Sequence, residues 1–271
     1  MAQARSRQGS GNGNRTERIR LYLGAWSAVS VLQFFAAEAA TIARWAGPAP
    51  YSRRLGFISD LGQVGCGLHG TRDICSPLHA LMDFSFVLQG IGMVIAALLL
   101  TSPVLRVAAE WPAVLAERRL TAALVRTTPS PASHAKVAVP RLATLAVRLL
   151  LGAAGIGVAV VGLFPQDSVE AVHLAGATAY FLGGSSALVV LGLLWLRRTA
   201  AAWPVLLLGA TALTSTLVGG ALQMRVPEPG TLERLMGYPV TIGIAIVGAV
   251  LAWRLGVPSR AARALARAAR A

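Results

Sequence analysis

The sequence predicts an all-α fold, a polytopic membrane protein organised as a six-transmembrane-helix bundle. Three observations predict it. Of 271 residues, 55% are apolar and only 13% charged, where a soluble domain carries about 25% charge. Apolar runs recur at close to the ~20 residues needed to cross a bilayer. Basic residues are concentrated in alternate connections between those runs, as the positive-inside rule requires. The formal net charge of +14 invites a nucleic-acid reading, but that needs a basic face on a polar domain, so no nucleic-acid partner is expected. The apolar content excludes a disordered chain. A β-barrel would show ten-residue alternating segments, and none is seen.

In chain order, residues 1–20 are polar and rich in Gly, Arg and Ser, and read as a disordered cytoplasmic tail. The first apolar run is too long and lacks an evident cleavage site for a signal peptide. The spans are drawn over Leu21–Ala43, Leu78–Leu100, Leu142–Phe164, His173–Leu196, Ala201–Leu222 and Met236–Trp253. They define a transmembrane domain over 21–255, followed by a basic cytoplasmic tail over 256–271. In that tail Arg260, Arg263, Arg267 and Arg270 recur every three to four residues, the spacing of a short helix on anionic lipid, and equally a plain positive-inside tail. The connection between spans two and three contains Thr127–His134, rich in Pro, Ser and Thr, which reads as a linker. With the N-terminus cytoplasmic, eighteen of the 25 basic residues fall inside against three acids, and six fall outside against six acids. Both termini are therefore expected in the cytoplasm of a cell whose plasma membrane the chain crosses. The six tryptophans fall near predicted membrane edges, as belt residues do.

The charge-balanced outer face is where function is sought. Its first loop carries both cysteines, Cys66 and Cys75. Two thiols this close in an extracytoplasmic loop point to a local disulfide, the alternative being two unpaired thiols. A Cys₂His₂ site with His69 and His79 fits no usual zinc spacing, so no metal or other cofactor is expected. Ser76-Pro77 precedes span two, with Ser76 as a candidate N-cap. His79 and Asp83 are four apart on one helix face, and Asp83 lies a turn inside the span, where a carboxylate is costly unless it faces protein, water or a partner. Asp167, Glu170 and His173 border span four; Glu233 and Arg234 stand before span six; Glu38 closes span one.

Two readings of these groups stay open. In one, Arg234 or Arg44 pairs with Asp60, Asp167 or Glu38 and ties helix ends together. In the other, Asp60, His79, Asp83, Asp167, His173, Glu233 and Arg234 line an outward cavity, with Arg234 and His173 on an anionic headgroup or the acids in acid–base chemistry. Membrane lipids are the expected partners, with a membrane-protein partner or homo-oligomer as an alternative. Binding or handling of a lipid or small amphiphile at the outer leaflet is the leading function. A membrane enzyme on a lipid-linked substrate, a small transporter past Gln33 and Gln89, and an accessory subunit are the alternatives. No nucleophile elbow, HExxH, Walker or dinucleotide motif names a reaction.

The run FISDLG, then Cys66, Cys75-Ser-Pro-Leu-His79 and SFVLQG, resembles an uncharacterised bacterial, largely actinobacterial, family of six-span membrane proteins near the FRAG/DRAM-like group. Gly162-Leu163-Phe164-Pro165 with Asp167 and His173, and Glu233-Arg234 with Tyr238-Pro239, match two further signatures of that family. The resemblance spans about Leu21 to Trp253 and implies the six-span topology. It implies no activity. Asparagine is common in the family where this chain has Asp83, so a fixed charge there is not general to it.

Overall fold

A backbone in hydrocarbon finds no water to bond, so each apolar run closes its own hydrogen bonds as a helix. The computed structural model describes residues 2–109, 141–196 and 198–268, with stretches 2–14, 106–109 and 257–268 as backbone only. The expected linker at Thr127–His134 lies outside the described residues. The helices are α1 (Ala2–Ala43), α2 (His79–Leu99), α3 (Ser102–Ala109), α4 (Arg141–Leu163), α5 (Glu170–Trp195), α6 (Ala202–Ala221) and α7 (Pro229–Ala268). All but the short α3 contain a segment long and apolar enough to span a membrane.

The six long helices form a ring in the order α1–α2–α4–α5–α6–α7, closing back on α1, and α5 also touches α7. Glycines set the closest approaches, since small residues let membrane helices pack backbone to backbone. A Cβ on Gly90 of α2 would lie 2.4 Å from the Gly155 carbonyl of α4, and one on Gly157 of α4 would lie 2.4 Å from the Gly176 carbonyl of α5. Buried polar groups cross-link the ring. The Tyr180 hydroxyl bonds Thr241 Oγ1 at 3.0 Å, joining α5 to α7. Tyr22 donates to the Gly92 carbonyl at 3.0 Å, joining α1 to α2. Arg148, which the sequence leaves free to snorkel or to pair within the bundle, donates Nε–H to the Ala97 carbonyl near the C-terminus of α2, a favourable place for a cation.

Several boundaries differ from expectation. The backbone is helical from Ala2, through most of the segment expected as a disordered tail, because extending an established helix adds one hydrogen bond per residue fixed. Helix α5 starts at Glu170 and α7 at Pro229, so Glu233 and Arg234 sit in the opening turns of a helix rather than before it. Ser76 is not a side-chain cap; its hydroxyl donates to the Leu61 carbonyl at 2.7 Å. Trp195 is no belt residue either: it is 1% exposed and packs in the core.

The loops 44–78, 164–169 and 222–228 gather at one end of the bundle, called here the loop end. Gly65 bonds Asp167, and Arg54 pairs with Glu228. Within this cap, β1 (Gly67–His69) and β2 (Arg72–Ile74) form an antiparallel hairpin, closed at its base by the Cys66–Cys75 disulfide. Gly70, at the first turn position, has φ +62°, the left-handed value that a II′ hairpin turn demands and glycine supplies. The Ala46 amide donates to the Cys75 carbonyl at 3.0 Å and fastens the hairpin to the end of α1. Strands of three residues do not persist unaided. Cys66→Ser with Cys75→Ser is therefore expected to cost about 2–3 kcal/mol of local stability, read as faster amide exchange confined to residues 64–76. Unchanged exchange there would refute the disulfide's role.

Candidate functional site

Arg234 stands at the centre of the loop end. It is 7% exposed. Its Nε donates to Glu38 Oε1 at 3.2 Å and to the Tyr238 hydroxyl at 3.0 Å. One terminal nitrogen bonds the carbonyls of Arg53 and Gly56, both at 2.9 Å, and of Gly230 at 3.1 Å. The other bonds Glu38 Oε1 at 2.9 Å and the Tyr51 hydroxyl at 2.7 Å. Tyr238 in turn donates to Glu38 at 2.6 Å. All three guanidinium nitrogens are thus engaged inside the protein, which leaves no free N–H for a headgroup. This is the Arg234–Glu38 pairing of the structural reading. It joins α1, α7 and the loop between α1 and α2, and Tyr51 within it has its phenol pushed well above the usual value by burial.

Asp60 pairs with Arg72, with Nε to Oδ2 at 3.1 Å and a terminal nitrogen to Oδ1 at 2.9 Å. It also accepts the Phe57 amide at 2.8 Å. Asp60 is 1% exposed, and burial pushes its carboxyl above the ordinary value despite the opposing pull of Arg72. The guanidinium of Arg72 lies 4.3 Å from the Phe57 ring centre, a cation–π contact. Residues Ser59–Gly62 form a single 3-10 turn. The carboxylate of Glu233 accepts from the Ile58 amide at its start. The loop is thereby held over the ring of helices from both sides.

Beneath this turn lies a cavity of about 40 Å³ in the middle of the bundle, lined by residues that include Phe34, Gln89, His173, Tyr180 and Glu233. Gln89 is fully buried and accepts from Gln33 at 3.3 Å. Beside it runs a groove of about 1040 Å³ between α5, α6, α7 and the loops. Ser59, His173, Ala177, Phe181 and Glu233 border both spaces. The groove's mouth is polar, with Ser59, Thr71, Arg72 and Gln166. Its wall is apolar, and Leu174, Leu182 and Leu217 of that wall are exposed on the bundle surface. His173 bonds the Phe164 carbonyl through Nδ1 at 2.9 Å. A carbonyl only accepts, so Nδ1 carries the proton.

The remaining sequence candidates lie apart from the groove lining. Asp83 Oδ1, on α2, packs against Gly62, where a Cβ would lie 2.4 Å away. Asp167 takes the Gly65 amide at 2.7 Å through Oδ2. Asp83 Oδ1, Asp167 Oδ1 and His79 Nδ1 are buried without a hydrogen-bond partner. Among the described residues, no group of three or more His, Cys, Asp and Glu is arranged to hold a metal. Sequence reasoning missed Arg72, Tyr51, Tyr238 and Gln166. Tyr238 carried a signal, four residues after Arg234 and so on its helix face. The other three are brought in by loop geometry.

Six apolar helices in a closed ring with a polar cap at one end define a multi-pass integral membrane protein. A family model described as a protein of unknown function (DUF998) matches residues 132–250, the stretch that contains α4, α5, α6 and α7 as far as Val250. No curated protein and no solved structure matches the chain.

Proposed function

We propose that this protein binds one amphiphile in the groove between α5, α6 and α7, with the polar head under the loops and the chain against the helix wall. The observation that carries the reading is the groove itself. Its volume is at the upper end of small-molecule sites, and a few polar groups converge at one end of an apolar surface, as such sites require. Binding is favoured over catalysis because Asp60 and Arg234 are each committed to structural partners. The reading extends to place: a bacterial plasma membrane, loop end outward and both termini cytoplasmic. The excess of bases in the tails and in the connections at the opposite end supports that orientation.

Gly220 offers a clean test. A Cβ there meets nothing within 4 Å, and the residue lines the groove. Gly220→Phe is expected to obstruct the groove without disturbing the fold. In native mass spectrometry of detergent-released protein, wild type is expected to retain a bound amphiphile and the variant to lose at least nine-tenths of it. Equal retention by a variant with an unchanged unfolding midpoint would sink the proposal.

A further inference from the structure

We infer that the groove selects a hydrogen-bond-donating, non-anionic head, a hydroxyl or an ammonium, and rejects anionic amphiphiles. The inference rests on the groove reading and names its ligand class. It reverses the sequence expectation of an anionic headgroup, and the reason is where the charges are spent.

Among the described lining residues, the groove carries one fixed cation, Arg72. Its guanidinium is held by two hydrogen bonds on Asp60, so its charge is already matched. Arg234, the cation nearest in sequence to Glu233, is buried on Glu38 and backbone carbonyls. An anionic head entering the mouth would find no uncompensated positive charge to offset its lost hydration, only donors such as Ser59, Thr71 and Gln166. It would also approach the carboxyl group of Glu233, which lines the inner end of the groove and is oriented by the Ile58 amide. A donating head meets the opposite situation. Glu233 and Gln166 offer acceptor oxygens, and Gln166 Oε1 already takes a long bond from Ser59 at 3.4 Å, which a ligand hydroxyl can better. An acceptor with a spare lone pair in a site of low polarity discriminates strongly between a group that donates and one that repels.

The experiment uses the full chain in phosphatidylcholine nanodiscs. A radiolabelled long-chain monoacylglycerol is displaced by three competitors with the same tail: monoacylglycerol, alkylamine and alkyl sulfate. The hydroxyl or the amine is expected to displace at a concentration at least tenfold below that of the sulfate, and the tighter of the two names the head. In Glu233→Gln the advantage over the sulfate is expected to fall below threefold. The wild-type ranking carries the test even where that variant folds poorly. A sulfate that displaces as well as the other two, in a chain whose binding Gly220→Phe abolishes, would overturn the head-group inference and leave the groove standing. Binding of all three left intact by Gly220→Phe would overturn the groove and the inference together.

Discussion

Replacing Arg234 with methionine is expected to destabilise the protein by about 3–5 kcal/mol, the usual cost of removing one partner from a buried ion pair. The cause is what remains behind. Glu38 is 2% exposed and would keep its charge with only the Tyr238 hydroxyl and the distant Arg53, 3.9 Å away, to face it. The carbonyls of Arg53, Gly56 and Gly230 would each lose a donor. Arg234→Lys is expected to recover less than half of the loss, because a single ammonium with three donors cannot span the acceptors that the planar fork reaches. Adding Glu38→Gln to Arg234→Met should restore part of it by removing the stranded charge. Unfolding in a graded mixed-micelle titration measures all four chains. A loss under 1 kcal/mol for Arg234→Met, or a double variant no more stable than Arg234→Met, would show that the network holds nothing together.

The network also shows what the sequence could tell. Helix count and ring membership follow from run length and composition, which act locally. The lateral sorting of charge acts through loops and is equally visible. The partners of the charged groups are a different matter. Arg234 and Glu38 are 196 residues apart, and the sequence leaves Glu38, Asp60 and Asp167 open as acceptors for Arg234. The choice is made by α7 starting at Pro229, early enough to bring Arg234 beside the end of α1. Asp60 finds Arg72 because a II′ turn at Gly70 folds the chain back over Phe57, and strands of three residues are too short to leave a two-residue period. The groove is least legible of all. It is bounded by Gly219 and Gly220, while glycines such as Gly176 serve helix packing elsewhere, and a missing side chain reads the same way in both roles.

That ambiguity can be tested at α4, where packing is the stated role. Gly157→Val is expected to cost about 3 kcal/mol, the upper part of the range for overpacking. Its Cβ would lie 2.4 Å from the Gly176 carbonyl and 2.7 Å from the Tyr180 amide nitrogen. Both are helix backbone, which cannot swing aside as a side chain can. Helix α4 cannot retreat either. Gly155, two residues earlier and on the opposite face, already sits against α2, where its own Cβ would lie 2.9 Å from the Gly90 carbonyl and from Val94. Moving α4 away from α5 drives it into α2, so the strain has to open the ring. Gly152→Ala on the same helix is the control. Its nearest neighbour is Ala97 Cβ at 3.9 Å, an ordinary contact, and the change removes a glycine from a helix interior. That variant is expected to be neutral or to gain up to about 1 kcal/mol. The pair separates packing from glycine content, because both variants remove one glycine from α4 and only one meets backbone. Equal midpoints for the two would mean that the backbone contact at Gly157 and Gly176 does not set the spacing of the bundle.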